Sequence, residues 1–210
     1  MLTKLKSLVS TLAFLGLVSS TLVVTNEEVM ASDTYYQARR VFSLATVTPV
    51  AGAATLTRTP KDISYKFYTS DLTPNEAHTI WVVIFNTPEN CAGAPGPCFD
   101  PSDLGNPAVQ ASIVAGSGYI VGPSGIANFE GSLNKGTPPT DIQVNVPEGT
   151  VNGLKYPLKA EIHLIVRRHG EPKSDGGAVA QLTTYEDAVT CASEGRICAD
   201  VQVSVFQPAQ

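Results

Sequence analysis

TIWVVIF, residues 79–85, is the stretch that decides how the rest of the chain is read. It carries no charge, glycine or proline, and it is rich in β-branched and aromatic side chains. A short continuous run of this kind fits a central strand covered on both faces. Upstream, Ile63, Tyr65 and Phe67 alternate with Ser64, Lys66 and Tyr68 over residues 63–69, the period of two expected of a half-buried strand. Pro60, Lys61 and Asp62 form a hairpin-like turn back to a further strand over residues 52–59, and residues 41–47 are the first strand candidate.

Downstream, strands are expected over residues 109–115, 118–121 and 126–133, with Gly116-Ser117-Gly118 and Gly122-Pro123-Ser124-Gly125 read as strand-end turns. A Gly/Pro loop over residues 134–140 leads to an alternating run at Ile142, Val144 and Val146. Residues 159–168 alternate clearly, residues 178–182 suit one helical turn, and Val201, Val203 and Val205 mark a last strand. About ten short strands with Gly/Pro punctuation, and no strand-then-long-helix rhythm, predict an all-β, antiparallel β-sandwich.

The composition sets limits on function. At 210 residues and 43% hydrophobic, the chain can build a substantial core, so disorder of its body is disfavoured. The net charge is −5, and the only basic doublets are Arg39-Arg40 and Arg167-Arg168. Neither makes a phosphate-tracking surface, which argues against nucleic acid as a partner.

The N-terminus reads as an export signal. Lys4 and Lys6 precede an uncharged apolar stretch over residues 8–24, and Val29-Met30-Ala31 suits cleavage after Ala31. The expected organisation is a signal peptide at 1–31 and one β-sandwich domain at 32–210. The alternative is an uncleaved anchor, the only membrane attachment the sequence suggests. Export would place the protein in the periplasm, at the cell surface or outside the cell, where thiols oxidise.

Four cysteines then read as two local disulfides, Cys91 with Cys98 and Cys191 with Cys198. Both pairs have six intervening residues with turn-forming glycine, although four cysteines allow three connectivities. Closing a loop this short contributes about 2.5 kcal/mol in the chain-entropy model. A four-thiolate metal site is the alternative, but structural zinc pairs usually enclose two to four residues.

No motif for serine hydrolysis or phosphate cradling occurs, and no cofactor is expected. The leading candidate surface is the strand over residues 159–168. Alternation puts Ala160, Ile162, Leu164 and Val166 on the core side and Glu161, His163, Ile165 and Arg167 on the other. Neighbours on one face lie about 6.6–6.8 Å apart, so Glu161 and His163 can share a divalent metal if another strand adds a ligand. With Arg167 the row can instead bind an anionic or sugar ligand. The plainer expectation is a solvated outer face whose charges pair across strands. His163 and His169 lie roughly 20 Å apart if the strand continues, too far for one ion.

Asp100, Asp103 and Asn106 share a loop with Gly105 and offer oxygen ligands for calcium, yet their spacing does not match an EF-hand. Asx residues beside Pro and Gly more commonly build turns. Trp81 is expected in the core, His78 as a satisfied strand-edge residue, and Tyr35, Tyr36 and Tyr68 as exposed aromatics suited to an adhesive surface.

Three stretches carry a resemblance: LTPNEAHTIWVVIFNTPENC at residues 72–91, DLGNP at 103–107 and AEIHLIVRRHG at 160–170. They resemble a family of uncharacterised exported bacterial all-β proteins, a likeness that transfers no catalytic residue. A remoter likeness is to chordin-type (CHRD) domains, in which a Leu-Thr-Pro turn likewise precedes a strand beginning near a histidine, here His78. It implies a sandwich with an extracellular binding role. The closely spaced histidines of those domains are missing after Thr79. The expected function is therefore an exported binding or structural module, without catalytic activity of its own, for an extracellular or periplasmic ligand. A metal-binding protein or metal-dependent enzyme built on Glu161 and His163 is the competing class.

Overall fold

The computed structural model describes residues 33–136, 153–174, 176–183 and 188–209. Its strands alternate between buried and exposed residues where one face meets the core, and are buried throughout where both faces are covered. The contrast is plain in β4 (Asp62–Thr69), where Ile63, Tyr65, Phe67 and Thr69 are buried, against β5 (Ala77–Phe85), where every residue is.

The strands form two antiparallel sheets. The four-stranded sheet has the order β1 (Tyr35–Arg39), β3 (Gly52–Arg58), β4, β7 (Ala127–Asn134). The five-stranded sheet has the order β2 (Phe42–Ser43), β9 (Ala199–Phe206), β8 (Glu161–Arg168), β5, β6 (Ala111–Ile120). The core between them draws on Leu56, Ile63, Phe67 and Phe129 from one sheet and Ile80, Ile84, Ile162, Leu164 and Phe206 from the other. Three short helices, α1 (Ser102–Gly105), α2 (Ala178–Thr183) and α3 (Ala188–Ser193), lie in the long connections. The helical turn expected over residues 178–182 is α2. Both disulfides pair locally, Cys91 with Cys98 and Cys191 with Cys198.

Arg58 fastens the sheets together at one end. It occupies the apolar phase of β3 after Ala54 and Leu56 and is fully buried. Its guanidinium donates to the carbonyls of Pro157, Ala160, Phe206 and Gln207 and to Oε1 of Gln37, at 2.7–3.2 Å. Burial pulls its pKa down to about 10, and every partner is a neutral oxygen.

Three expectations need correction. Residues 41–47 are not one strand: β1 ends at Arg39, Val41 is buried in the core, and β2 is two residues long before a turn. The chain changes sheets here, so no single alternation persists. Gly116 to Gly118 is no turn but the middle of β6, opposite the irregularity between Thr79 and Trp81 in β5. Glycine is needed for close approach. A Cβ on Gly116 would lie 2.1 Å from the Tyr65 hydroxyl, and one on Gly118 would lie 2.4 Å from the Leu182 carbonyl oxygen. His78 is not at an edge: β5 is flanked by β6 and β8, and His78 is fully buried. The strand count is nine among the described residues; the run at Ile142, Val144 and Val146, like residues 1–31, lies outside them.

Candidate functional site

The row Glu161, His163, Ile165 and Arg167 does face away from the inter-sheet core, as alternation requires. It is not a solvated surface. Glu161 is 0% exposed, His163 4% and Arg167 7%. Alternation tells which residues share a face but not what lies over that face. Here the loop between β5 and β6 covers one end of the row. The N–H of Cys98 donates to Glu161 Oε1 at 2.8 Å, and the Phe99 ring lies 5.3 Å from the His163 ring. The disulfide to Cys91 closes that loop, so the covalent staple and the carboxylate hold the same segment.

Each polar group on the row has protein partners. Glu161 Oε1 also meets His163 Nε2 at 2.5 Å, and its Oε2 accepts from Gln207 Nε2 at 2.7 Å. The His163 ring is edge-on to Phe85, with centroids 5.0 Å apart. Arg167 stacks over Trp81, 4.3 Å from the ring centroid, and donates to Asp200 Oδ1 at 2.8 Å. The cation thus has an aromatic face and a carboxylate, the two kinds of partner that make a buried guanidinium tolerable. Among the described residues no third His, Cys, Asp or Glu joins Glu161 and His163 to complete a set of three metal ligands.

The calcium candidates act as turn formers. Asp100 Oδ1 accepts from the Ser102 N–H and hydroxyl, which hold the Asp100 carboxyl below its ordinary pKa. Asn106 Oδ1 accepts from the Ala108 N–H. Asp103 is buried, accepting from the Ala92 N–H at 2.8 Å, and so ties α1 to the disulfide loop. Where Cys, His and acidic groups do cluster, at His169 with Cys191 and Cys198 and at Asp103 with Cys91 and Cys98, the sulfurs are already bonded to each other.

At the start of β5, Arg168 forms a two-pronged ion pair with Glu76, and His78 Nδ1 lies 3.2 Å from the Glu76 carbonyl. Burial holds the His78 pKa below its ordinary value. His78 Nε2 has no hydrogen-bond partner among the described residues.

The open surfaces lie elsewhere. The outer face of the four-stranded sheet forms a groove of about 800 Å³ lined by Tyr36, Thr55, Thr57, Lys66, Tyr68, Asn128, Glu130 and Ser132. Tyr36 is 67% exposed and Tyr68 49%. Pairing register puts Tyr36 beside Thr57, Lys66 between Thr55 and Glu130, and Tyr68 beside Asn128. The two tyrosines sit two strands and four residues apart, about 16 Å by strand geometry. Lys66 and Glu130, directly opposite in register, bring opposite charges to the groove. The sequence marked both tyrosines as exposed. It did not show that β1, β3, β4 and β7 carry them and the hydroxyl and amide groups to one face, because that depends on strand order.

Comparison with protein families, curated proteins and solved structures finds no match to this chain. The fold class is nonetheless defined by the structure alone: an antiparallel two-sheet β protein with two local disulfides. The disulfides suit an oxidising compartment. Among the described residues no helix is long and apolar enough to cross a membrane.

Proposed function

We propose that this protein is an exported β-sandwich binding module whose ligand is a neutral glycan held in the groove of the four-stranded sheet. One observation carries the reading: two exposed tyrosines frame a row of hydroxyl, amide and oppositely charged side chains on a single sheet face. Sugar rings present apolar C–H faces and a rim of hydroxyls. Tyrosine offers a rigid, electron-rich face to the first, and Thr, Ser, Asn, Lys and Glu exchange hydrogen bonds with the second. The opposite charges of Lys66 and Glu130 favour an uncharged ligand over an anionic one. The separation of Tyr36 and Tyr68 suits an oligosaccharide better than a single ring.

Export rests on the N-terminal signal pattern and on the two disulfides. The reading of β8 as the binding or metal site gains no support, since Glu161 and Arg167 are committed to internal partners.

Titration calorimetry against a panel of neutral oligosaccharides tests the proposal. Binding is expected, and Tyr36→Ala and Tyr68→Ala should each weaken it by about tenfold, the range of one aromatic contact. Absence of binding across the panel, or binding indifferent to both substitutions, would overturn it.

A further inference from the structure

A second surface differs from that groove in every chemical respect. It lies on the outer face of the five-stranded sheet, where Val203 and Val205 of β9 continue the row of Ile165 and His163 in register. Phe42, Leu44, Val47 and Phe99 surround them, enclosing a cleft of about 470 Å³ with Arg39 and Arg40 also in its lining. The volume falls within the range of small-molecule pockets. The four surrounding apolar side chains are substantially exposed, Val47 at 78% and Phe99 at 63%, a clustering that soluble surfaces avoid without a purpose.

Two further observations point to a ligand. The first is charge. Neither Arg39 nor Arg40 has a carboxylate partner among the described residues; Arg39 reaches only the neighbouring Ala38 carbonyl. No acidic residue lines the cleft. The Ser204 hydroxyl donates to the Arg40 carbonyl at 3.1 Å, tying the Arg40 backbone to β9. The second is strain. Val47 has φ 55°, a left-handed conformation that β-branched residues avoid. Its N–H donates to the Ser43 carbonyl at 2.9 Å, holding the turn that brings Leu44 and Val47 to the cleft. A glycine would be easier there for the backbone but would leave the wall without its apolar side chain.

From these observations we infer that the cleft binds a single-chain anionic amphiphile. The aliphatic body lies against Val203, Val205, Phe99 and Val47, and a carboxylate head pairs with Arg39 and Arg40. Guanidinium is suited to this because its planar fork matches a carboxylate with two donors. A concave cleft of this size accommodates one chain, not a bilayer surface. The site is separate from the tyrosine groove and does not depend on it.

The test uses decanoate as the probe, below its micelle concentration, with decanol and decyltrimethylammonium as neutral and cationic counterparts. Decanoate should bind one to one and about tenfold more tightly than decanol, as expected for one good charge pair, with the cation weakest. The double variant Arg39→Gln/Arg40→Gln should erase the decanoate advantage and leave decanol affinity unchanged. Val47→Gly should weaken both ligands several-fold while its melting temperature stays the same or rises, which separates loss of the wall from loss of the fold. Tyr36→Ala should affect neither ligand. Equal affinity for decanoate and decanol, an arginine double variant that still prefers decanoate, or attachment to anionic vesicles without binding of the monomer would each overturn the inference.

Discussion

The outer face of β4 and the outer face of β8 carry equally polar sequences and meet opposite fates. On β4, Ser64, Lys66 and Tyr68 are exposed and line an open groove. On β8, Glu161, His163 and Arg167 are all but inaccessible. The first face stays open among the described residues. The second lies under the disulfide-closed loop and near the segment that follows β8. A polar residue in the outward phase of a strand is thus no sign of solvent. On β8 its charges are structural members, and removing one leaves buried partners without a replacement.

The largest expected effect follows from that contrast. Glu161→Ala strands the Cys98 N–H, His163 and Gln207 together, and should cost about 3 kcal/mol or more in urea unfolding. Glu161→Gln, which keeps one acceptor oxygen, should recover part of the loss. If Glu161→Ala unfolds like the parent protein, the covered face is not held by its carboxylate.

Replacing Cys91 and Cys98 together by Ser should cost about 2.5 kcal/mol through loop entropy. The Cys191–Cys198 pair encloses a loop of the same length. Any excess loss at Cys91–Cys98 therefore measures the anchoring of its loop to Glu161 and Asp103. Unfolding curves of the two double variants, compared side by side, isolate this excess.

Arg167→Ala removes the contacts to Trp81 and Asp200 and should cost roughly 1–2 kcal/mol. Trp81 is the only tryptophan, so its fluorescence should shift with this change and stay constant in Lys66→Ala.

Stability should also depend on pH through His78. Burial lowers its pKa in the folded state below the ordinary value of 6.5. The unfolded chain therefore takes up the proton first. His78 makes no difference above pH 6.5, and its neutral burial becomes progressively destabilising as pH falls below 6.5 towards the folded-state pKa. The melting temperature of His78→Gln should fall less steeply between neutral and acidic pH than that of the parent. Parallel curves would rule out His78 as the titrating group.

The smallest effect belongs to the open face. Lys66→Ala and Tyr68→Ala should change stability by no more than about 0.5 kcal/mol, as substitutions at accessible positions generally do. A large loss at either position would mean that the groove is filled by part of the protein itself.

The elements of the fold were largely legible because hydrophobic period is local. The apolar run at residues 79–85 lies within β5, residues 159–168 contain β8, and the alternation of Ile63, Tyr65 and Phe67 is that of β4. Reading failed where the chain crosses between sheets at Val41, and where glycines serve close packing in β6 rather than a turn. Arg58 was overlooked altogether. Its only signal was a place in the apolar phase of β3, and a lone arginine in that phase cannot be told from an exposed strand end until its carbonyl partners are seen.

Most strand positions and the phase of β8 were therefore determined by the sequence itself, through periodicity, and short loops favoured the local cysteine pairing among three possible connectivities. Tertiary structure alone decided which polar faces meet solvent. Strand order gathered Tyr36, Tyr68 and their polar neighbours onto one sheet face and set Arg167 against Trp81 and Asp200, and the connection between β5 and β6 sealed Glu161 and His163 beneath a loop. These outcomes depend on contacts between residues far apart in the chain, and a period of two carries no information about what packs above it.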